Sequence, residues 1–269
     1  MNLYKQLKFE LFITLKNKST YIILLISVCF FTFFTIMMYN SPTGEIMTPG
    51  DLSISNVNSN IQNNNSLSDY LENLICSDAI IMFVTIFSSL IALQEFKNDY
   101  IKNIWILLGK KKIFLFAKIA VISIFVFVLY LLAFLVVIVC NLIFINTSFG
   151  DITELIKLLP LQIVMEIAFG VLTMAASLLI GHTVPAVITC IVYVSFAHNI
   201  LCSFVNMIVN KASSGSENFN VDDYLLFGNI LLLKTGVSGE LIIRALIIAA
   251  LVLSISYILS LLSINRKYK

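Results

Sequence analysis

Along this chain apolar residues collect into long runs, with polar residues gathered in the stretches between them. Runs at 21–39, 119–140, 184–209 and 245–264 hold no Asp, Glu, Lys or Arg. Two others of similar length hold one acid each, Asp78 near one end of 74–93 and Glu166 well inside 158–180. A helix needs about 20 residues to cross roughly 30 Å of hydrocarbon. Backbone groups in lipid must be satisfied within the segment or in a closed barrel, and barrel strands would alternate polar and apolar residues, which these runs do not. The pattern therefore predicts an all-α membrane protein, a single transmembrane domain over 1–269 with six spans at about 21–39, 74–93, 113–140, 158–180, 184–209 and 241–264. The first run follows lysines, as a secretory signal does. Its apolar length exceeds a normal signal core and no small-x-small cleavage site follows, so it reads as an uncleaved anchor.

Shorter elements fill the gaps. Over 95–109, Phe96, Tyr100, Ile101, Ile104, Trp105 and Leu108 recur at helical spacing opposite Lys97, Asn98, Lys102 and Asn103, which predicts an amphipathic helix. Gly109 suits its C-terminal cap and Lys110, Lys111 and Lys112 suit the negative helix end. Before the first span, Leu3, Leu7, Leu11 and Leu15 form a stripe opposite Lys5 and Lys16, a second amphipathic helix. An outer loop is read at 40–73, rich in Asn and Ser over 53–68, with too little apolar area to offset ordering. Gly181, His182 and Thr183 leave room only for a tight helical hairpin, and Pro185 suits the first turn of its second helix. The apolar run within 221–236 is too short to span and reads as a re-entrant or interfacial element before the last span.

Composition agrees: 59% of the residues are hydrophobic and 12% charged, too little polar surface for a soluble domain. Charge sets the orientation. Of the 17 Lys and Arg, only Lys157, Lys211, Lys234 and Arg244 fall on one side of the predicted spans. The rest fall on the other, around 5–18, 97–118 and 266–269, which the positive-inside rule makes cytoplasmic. Both termini are then cytoplasmic in a cell membrane, and the outer side, with Glu45, Asp51, Asp69, Glu72, Asp222 and Asp223, is net negative. The inner lysines are expected to meet anionic lipid headgroups. The net charge of +2 averages these two faces, and no continuous basic surface points to nucleic acid. Five cysteines without CxxC spacing imply no disulfide framework.

Inside the predicted membrane, Glu166 is the one acid well within a span, and such a group should face the bundle interior. Gln162, Glu166, Gly170, Thr173, Ser177 and Gly181 share one small, polar helix face, suited to close packing, and Ser195, Asn199, Cys202 and Asn206 make a comparable face on the fifth span. Glu166 and His198 lie equally far from the turn at His182, so a straight hairpin would hold them at one depth. A hydrogen-bonded Glu166–His198 pair is one expectation; separate partners for each are the other. The phosphate-loop pattern is missing, since 108–111 has a Gly-Lys without the first glycine or the hydroxyl residue. H-E-x-x-H and G-x-S-x-G are missing too, and two histidines leave little room for a metal site. Neither catalytic residues nor a metal are expected.

This layout resembles the type-2 permease family of ATP-binding-cassette (ABC) exporters: an amphipathic helix before six spans, a helix between the second and third, and a short re-entrant element between the fifth and sixth. Locally, Glu95 after the second span, Lys102, the stretch from Gly109 to Lys112, and Lys118 opening the third sit at similar spacing to that family's pattern. Tyr100-Ile101 replaces its small-Thr pair and the turn proline is absent. The resemblance implies a transport subunit, not an enzyme, that pairs with a second permease chain, identical or different, and with cytoplasmic ATPase chains that bind the ATP and magnesium. This chain would then carry no cofactor. It also implies that 95–109 is the coupling helix, with Glu95, Lys97, Tyr100, Ile101, Lys102, Ile104 and Trp105 docking the ATPase. The antimicrobial- or toxin-peptide export or immunity group is one candidate within the family, and the negative outer face suits an amphipathic or cationic cargo. A membrane-embedded sensor or scaffold and a secondary transporter are the alternatives. Abundant Ile, Lys and Asn suggest a bacterial source.

Overall fold

The computed structural model describes residues 3–40, 66–94, 111–150, 152–212, 220–234 and 238–267, and no strand occurs among them. In chain order the helices are α1 (Leu3–Lys16), α2 (Lys18–Asn40), α3 (Leu67–Ile75), α4 (Asp78–Leu93), α5 (Lys111–Cys140), α6 (Ile152–Ile180), α7 (Thr183–Val192), α8 (His198–Ala212), α9 (Leu226–Leu232) and α10 (Gly239–Lys267). Wide π-helical turns occupy Asn141–Ile145 and Tyr193–Ala197, and a 3-10 turn occupies Val221–Tyr224. Among the described residues α2, α5, α6 and α10 are each long and apolar enough to cross a membrane. Six such elements result if two bent pairs, α3 with α4 at 43° and α7 with α8 at 53°, each count as one. The helix expected at 95–109 lies outside the described residues.

Local chemistry explains the breaks. Asn17 ends α1 and starts α2: its side-chain oxygen accepts from the Ser19 amide at 3.1 Å, while the Thr20 hydroxyl donates to Thr14 O at 2.9 Å. The stretch read as an outer loop over 40–73 needs correction from Leu67 onward, where it is helical. Ser66 and Asp69 form a capping box, the Ser66 amide donating to Asp69 Oδ2 at 2.8 Å. Tyr70, Leu71 and Leu74 then bury one face of α3. The Ser77 hydroxyl donates to Leu74 O at 2.6 Å, where α3 gives way to α4. Gly181, at φ +81°, and His182 alone separate α6 from α7.

Helix α6 is the hub of the bundle, with α10 and α4 as its main neighbours and α5, α7 and α9 around it. Its small, polar face is buried: Gln162, Glu166, Thr173 and Ser177 all have little or no exposure. Across from it α4 presents Thr85, Ser88 and Ser89, equally buried. At Gly170 a side-chain carbon would lie 2.8 Å from Ile122 Cγ2 and 3.0 Å from both Ser88 Oγ and Val84 Cγ1, so the glycine is what lets three helices meet there. Helices α2 and α10 flank this centre and leave rows of large apolar side chains exposed, such as Ile22, Leu25 and Phe33, and Ile247, Leu251 and Ile255. In a bilayer these rows meet acyl chains.

Contacts also sort the two ends of the bundle. Helix α1 packs beside α5, whose early residue Lys118 reaches back to Ile91 O, and the Ser263 hydroxyl near the end of α10 donates to Leu178 O at 2.9 Å. These groups share one end. The α3–α4 break, Gln162, Val221–Tyr224 and α9 gather at the other.

Candidate functional site

At the first end, the residues before and after 95–110 are tied together by one buried lysine. Lys118 is 1% exposed; its Nζ donates to Ile91 O on α4 at 2.8 Å and lies 3.7 Å from Glu10 Oε2 on α1. The Phe114 ring sits beneath the ammonium, 4.8 Å to its centroid. Gln6 Nε2 donates to Glu10 Oε1 at 3.2 Å and the Thr14 hydroxyl to Glu10 O at 2.8 Å. The inward face of α1 is therefore polar, made of Gln6, Glu10 and Thr14. This corrects the leucine stripe: Leu3 and Leu15 are exposed, while Leu7 and Leu11 are half-buried. The reason is Lys118, an ammonium taken out of water that must be met by charge and carbonyl. The expectation that Lys118 meets lipid headgroups fails for the same reason. Glu95, Lys97, Tyr100, Ile101, Lys102, Ile104 and Trp105, which this junction would anchor, all lie outside the described residues.

The middle of α6 holds the second polar group. Glu166 is fully buried, and neither carboxyl oxygen has a hydrogen bond among the described residues; the Tyr130 hydroxyl is buried in the same condition. Removing an unsatisfied buried polar group recovers its desolvation cost, about 1–3 kcal/mol. Glu166→Met, of similar length, is thus expected to leave the thermal unfolding midpoint in detergent unchanged or raised. A marked fall would reveal a partner for the carboxyl.

One turn earlier, Gln162 has partners. Its Nε2 donates to Ile230 O at 2.8 Å and Leu233 O at 3.1 Å, holding the end of α9 against α6, and Cys76 Sγ donates to Leu233 O at 3.0 Å. Asn229 locks the same short helix from within, Nδ2 donating to Asp223 O at 2.9 Å and Leu225 O at 2.8 Å. Gly228 presses on the preceding turn so closely that a side-chain carbon there would lie 2.3 Å from Asp222 O.

That turn delivers Asp222 to His198. The His198 Nε2 to Asp222 Oδ1 distance is 3.0 Å, so the partner of His198 is an acid from Val221–Tyr224, and the expected Glu166–His198 pair is not formed. The 53° bend at the π-helical turn carries His198 toward the short helices. Cys202, one helical turn on, brings Sγ to 3.6 Å from Nε2, and the ring is enclosed by Phe227, centroids 4.2 Å apart, and Tyr193. An imidazole nitrogen, a thiol and a carboxylate oxygen thus converge within 4.8 Å of one another. Asn199 stands half-buried beside the cluster. Sequence reasoning missed Cys202 and Asp222 as partners of His198. The His-x-x-x-Cys spacing on one helix face was a usable signal, but nothing local announced the aspartate.

A model of ABC-2 family transporter proteins matches residues 7–197, from α1 to the π-helical turn before His198. Neither the curated proteins nor the solved structures give a match. The matched stretch covers well over half of the chain and includes the polar junction at Lys118 and the whole of α6. Together with several helices fit to cross a bilayer, it makes this a multi-pass membrane protein. The chain belongs to the ABC-2 family of transporter proteins, as a membrane subunit of an ABC transporter.

Proposed function

We propose that this chain is the permease of an exporter that moves an amphipathic or cationic substrate, such as an antimicrobial or toxin peptide, outward across a cell membrane. Cytoplasmic ATPase chains supply the energy, and a second permease chain completes the path. In this reading six spans cross the bilayer, with α3–α4 and α7–α8 each counted once, both termini are cytoplasmic, and α9 with its preceding turn is re-entrant from the outer side. The observation that carries it is the buried junction of Glu10, Lys118 and Ile91 O. It grips the chain on both sides of 95–110 and fastens it to α1. Force applied by an ATPase to that segment would pass into α4, α5 and α1 together, as rigid packed elements move. The substrate preference rests on the sequence reading of the outer side as net negative, with Glu45, Asp51, Asp69 and Glu72 among its acids.

Charge reversal tests the docking role. Lys97→Glu together with Lys102→Glu is expected to remove the co-expressed ATPase from a pull-down of the tagged permease, while the permease itself remains folded and in the membrane. Retention of the ATPase at wild-type level would refute docking through 95–109. Stimulation of ATP hydrolysis by a cationic amphipathic peptide in proteoliposomes, and not by a neutral one, is the matching result for the substrate.

A further inference from the structure

We propose that His198, Cys202 and Asp222 form a zinc site that clips α8 to the turn at Val221–Tyr224. The three donors suit that ion in kind: imidazole nitrogen, thiolate sulfur and carboxylate oxygen are zinc's usual protein ligands. They also suit it in spacing. With metal–ligand bonds of about 2.0–2.3 Å, a tetrahedron has edges of roughly 3.3–3.8 Å. The structure has 3.0 Å from Nε2 to Asp222 Oδ1 and 3.6 Å from Nε2 to Cys202 Sγ, with all three ligand atoms inside 4.8 Å. Closing the set onto one ion shortens the widest separation by up to about 1 Å.

Cys202 Sγ stands nearly midway between the two ring nitrogens, 3.6 Å from Nε2 and 3.8 Å from Nδ1, while Asp222 Oδ1 lies 3.0 Å from Nε2. A cation at their common centre satisfies all three. Charge also closes: a neutral imidazole, a thiolate and a carboxylate carry two negative charges, which Zn²⁺ cancels at a place where His198 and Cys202 are buried.

The surroundings are those of a held site. Tyr193 Oη lies 3.4 Å from His198 Nδ1, a partner for the ring nitrogen left over when Nε2 takes the ion, the usual way a metal-bound imidazole is oriented. The turn that carries Asp222 is pinned by asparagines: the Val221 amide donates to Asn206 Oδ1 at 2.7 Å, Asn206 Nδ2 donates to Asn220 Oδ1 at 3.1 Å, and the Asp222 amide donates to Asn220 Oδ1 at 3.3 Å. Gly228 gives the room on the opposite side. The Asp222 side chain is 32% exposed, which leaves the fourth coordination position open to water. None of this depends on the cargo or on the ATPase.

The test uses the full chain, purified in detergent with chelator and then titrated with Co²⁺ as a spectroscopic substitute for zinc. One Co²⁺ per chain is expected, with a thiolate-to-cobalt charge-transfer band that Zn²⁺ abolishes by displacement. Cys202→Ser should remove the band, Asp222→Asn should weaken binding about tenfold or more, and Cys140→Ser and Cys190→Ser should leave both unchanged. A folded wild-type protein without the band, or a band that survives Cys202→Ser, overturns the site. Should Cys202→Ser not fold, zinc-edge X-ray absorption on the wild-type protein decides: one sulfur with nitrogen and oxygen neighbours supports the assignment, and a shell without sulfur overturns it.

Discussion

Lys118→Met is expected to lower the stability of this protein by about 3–5 kcal/mol, the usual cost of breaking a buried ion pair from one side. The substitution keeps the length and apolar stem of the side chain, so little packing is lost. What remains is Glu10, 4% exposed on its side chain, facing the place where an ammonium stood, and an Ile91 carbonyl deprived of its donor. Glu10→Gln alone should cost less, since Lys118 keeps Ile91 O and the Phe114 face. The double variant Glu10→Gln with Lys118→Met should be less damaged than the sum of the two, because the stranded carboxylate is gone. Thermal unfolding of all four proteins in one detergent closes the cycle. Strict additivity would show that Glu10 and Lys118 do not act as a pair. A functional reading accompanies it: where the partner ATPase can be reconstituted, Lys118→Met should lose stimulated hydrolysis before it loses the complex.

Gly170→Leu should be nearly as harmful, for steric reasons. The first side-chain carbon alone meets Ile122, Ser88 and Val84 at 2.8–3.0 Å, and three further carbons have nowhere to go among α4, α5 and α6. Overpacking a tight core costs about 1–3 kcal/mol and more when backbone must shift. Gly170→Ala should show a smaller loss, since only one carbon has to be fitted, by a shift of Ile122 and a smaller one of Ser88 and Val84. The ordering wild type, Ala, Leu in unfolding midpoint is the check; a leucine variant as stable as wild type would mean the helices stand further apart than described.

Much of this architecture was legible in the chain, and the reasons are uneven. The long apolar helices α2, α5, α6 and α10 could be read because hydrocarbon tolerates few charges over about 20 residues. The buried face of α6 could be read because small and polar residues repeat at helical spacing from Gln162 to Ser177. What could not be read is which way an individual polar side chain near a helix end turns. Lys118 looked like one more headgroup lysine, yet it points inward, and with it the inward face of α1 became Gln6, Glu10 and Thr14 instead of leucines. The stretch 67–73 reads as loop because its neighbours are Asn-rich, although Ser66 and Asp69 carry the capping signature. The equal count from His182 to Glu166 and His198 assumed a straight helix, and the bend at Tyr193–Ala197 removed that assumption. The residues assigned to ATPase docking, Glu95 to Trp105, lie outside the described residues.

The wide turn at Tyr193–Ala197 matters beyond the bend. The His198 amide donates to Tyr193 O, five residues back, so one residue more than an α-helix would use is wound into that turn. One residue corresponds to about 100° of rotation about a helix axis. The turn is thus an angular offset between the two halves of one hydrophobic rod. It lets Ala186 and Cys190 face inward on the near half while His198 and Cys202 face inward on the far half, leaving Ile200, Leu201 and Phe204 for lipid. Lose that single residue of slack, and the far half turns its imidazole toward the acyl chains.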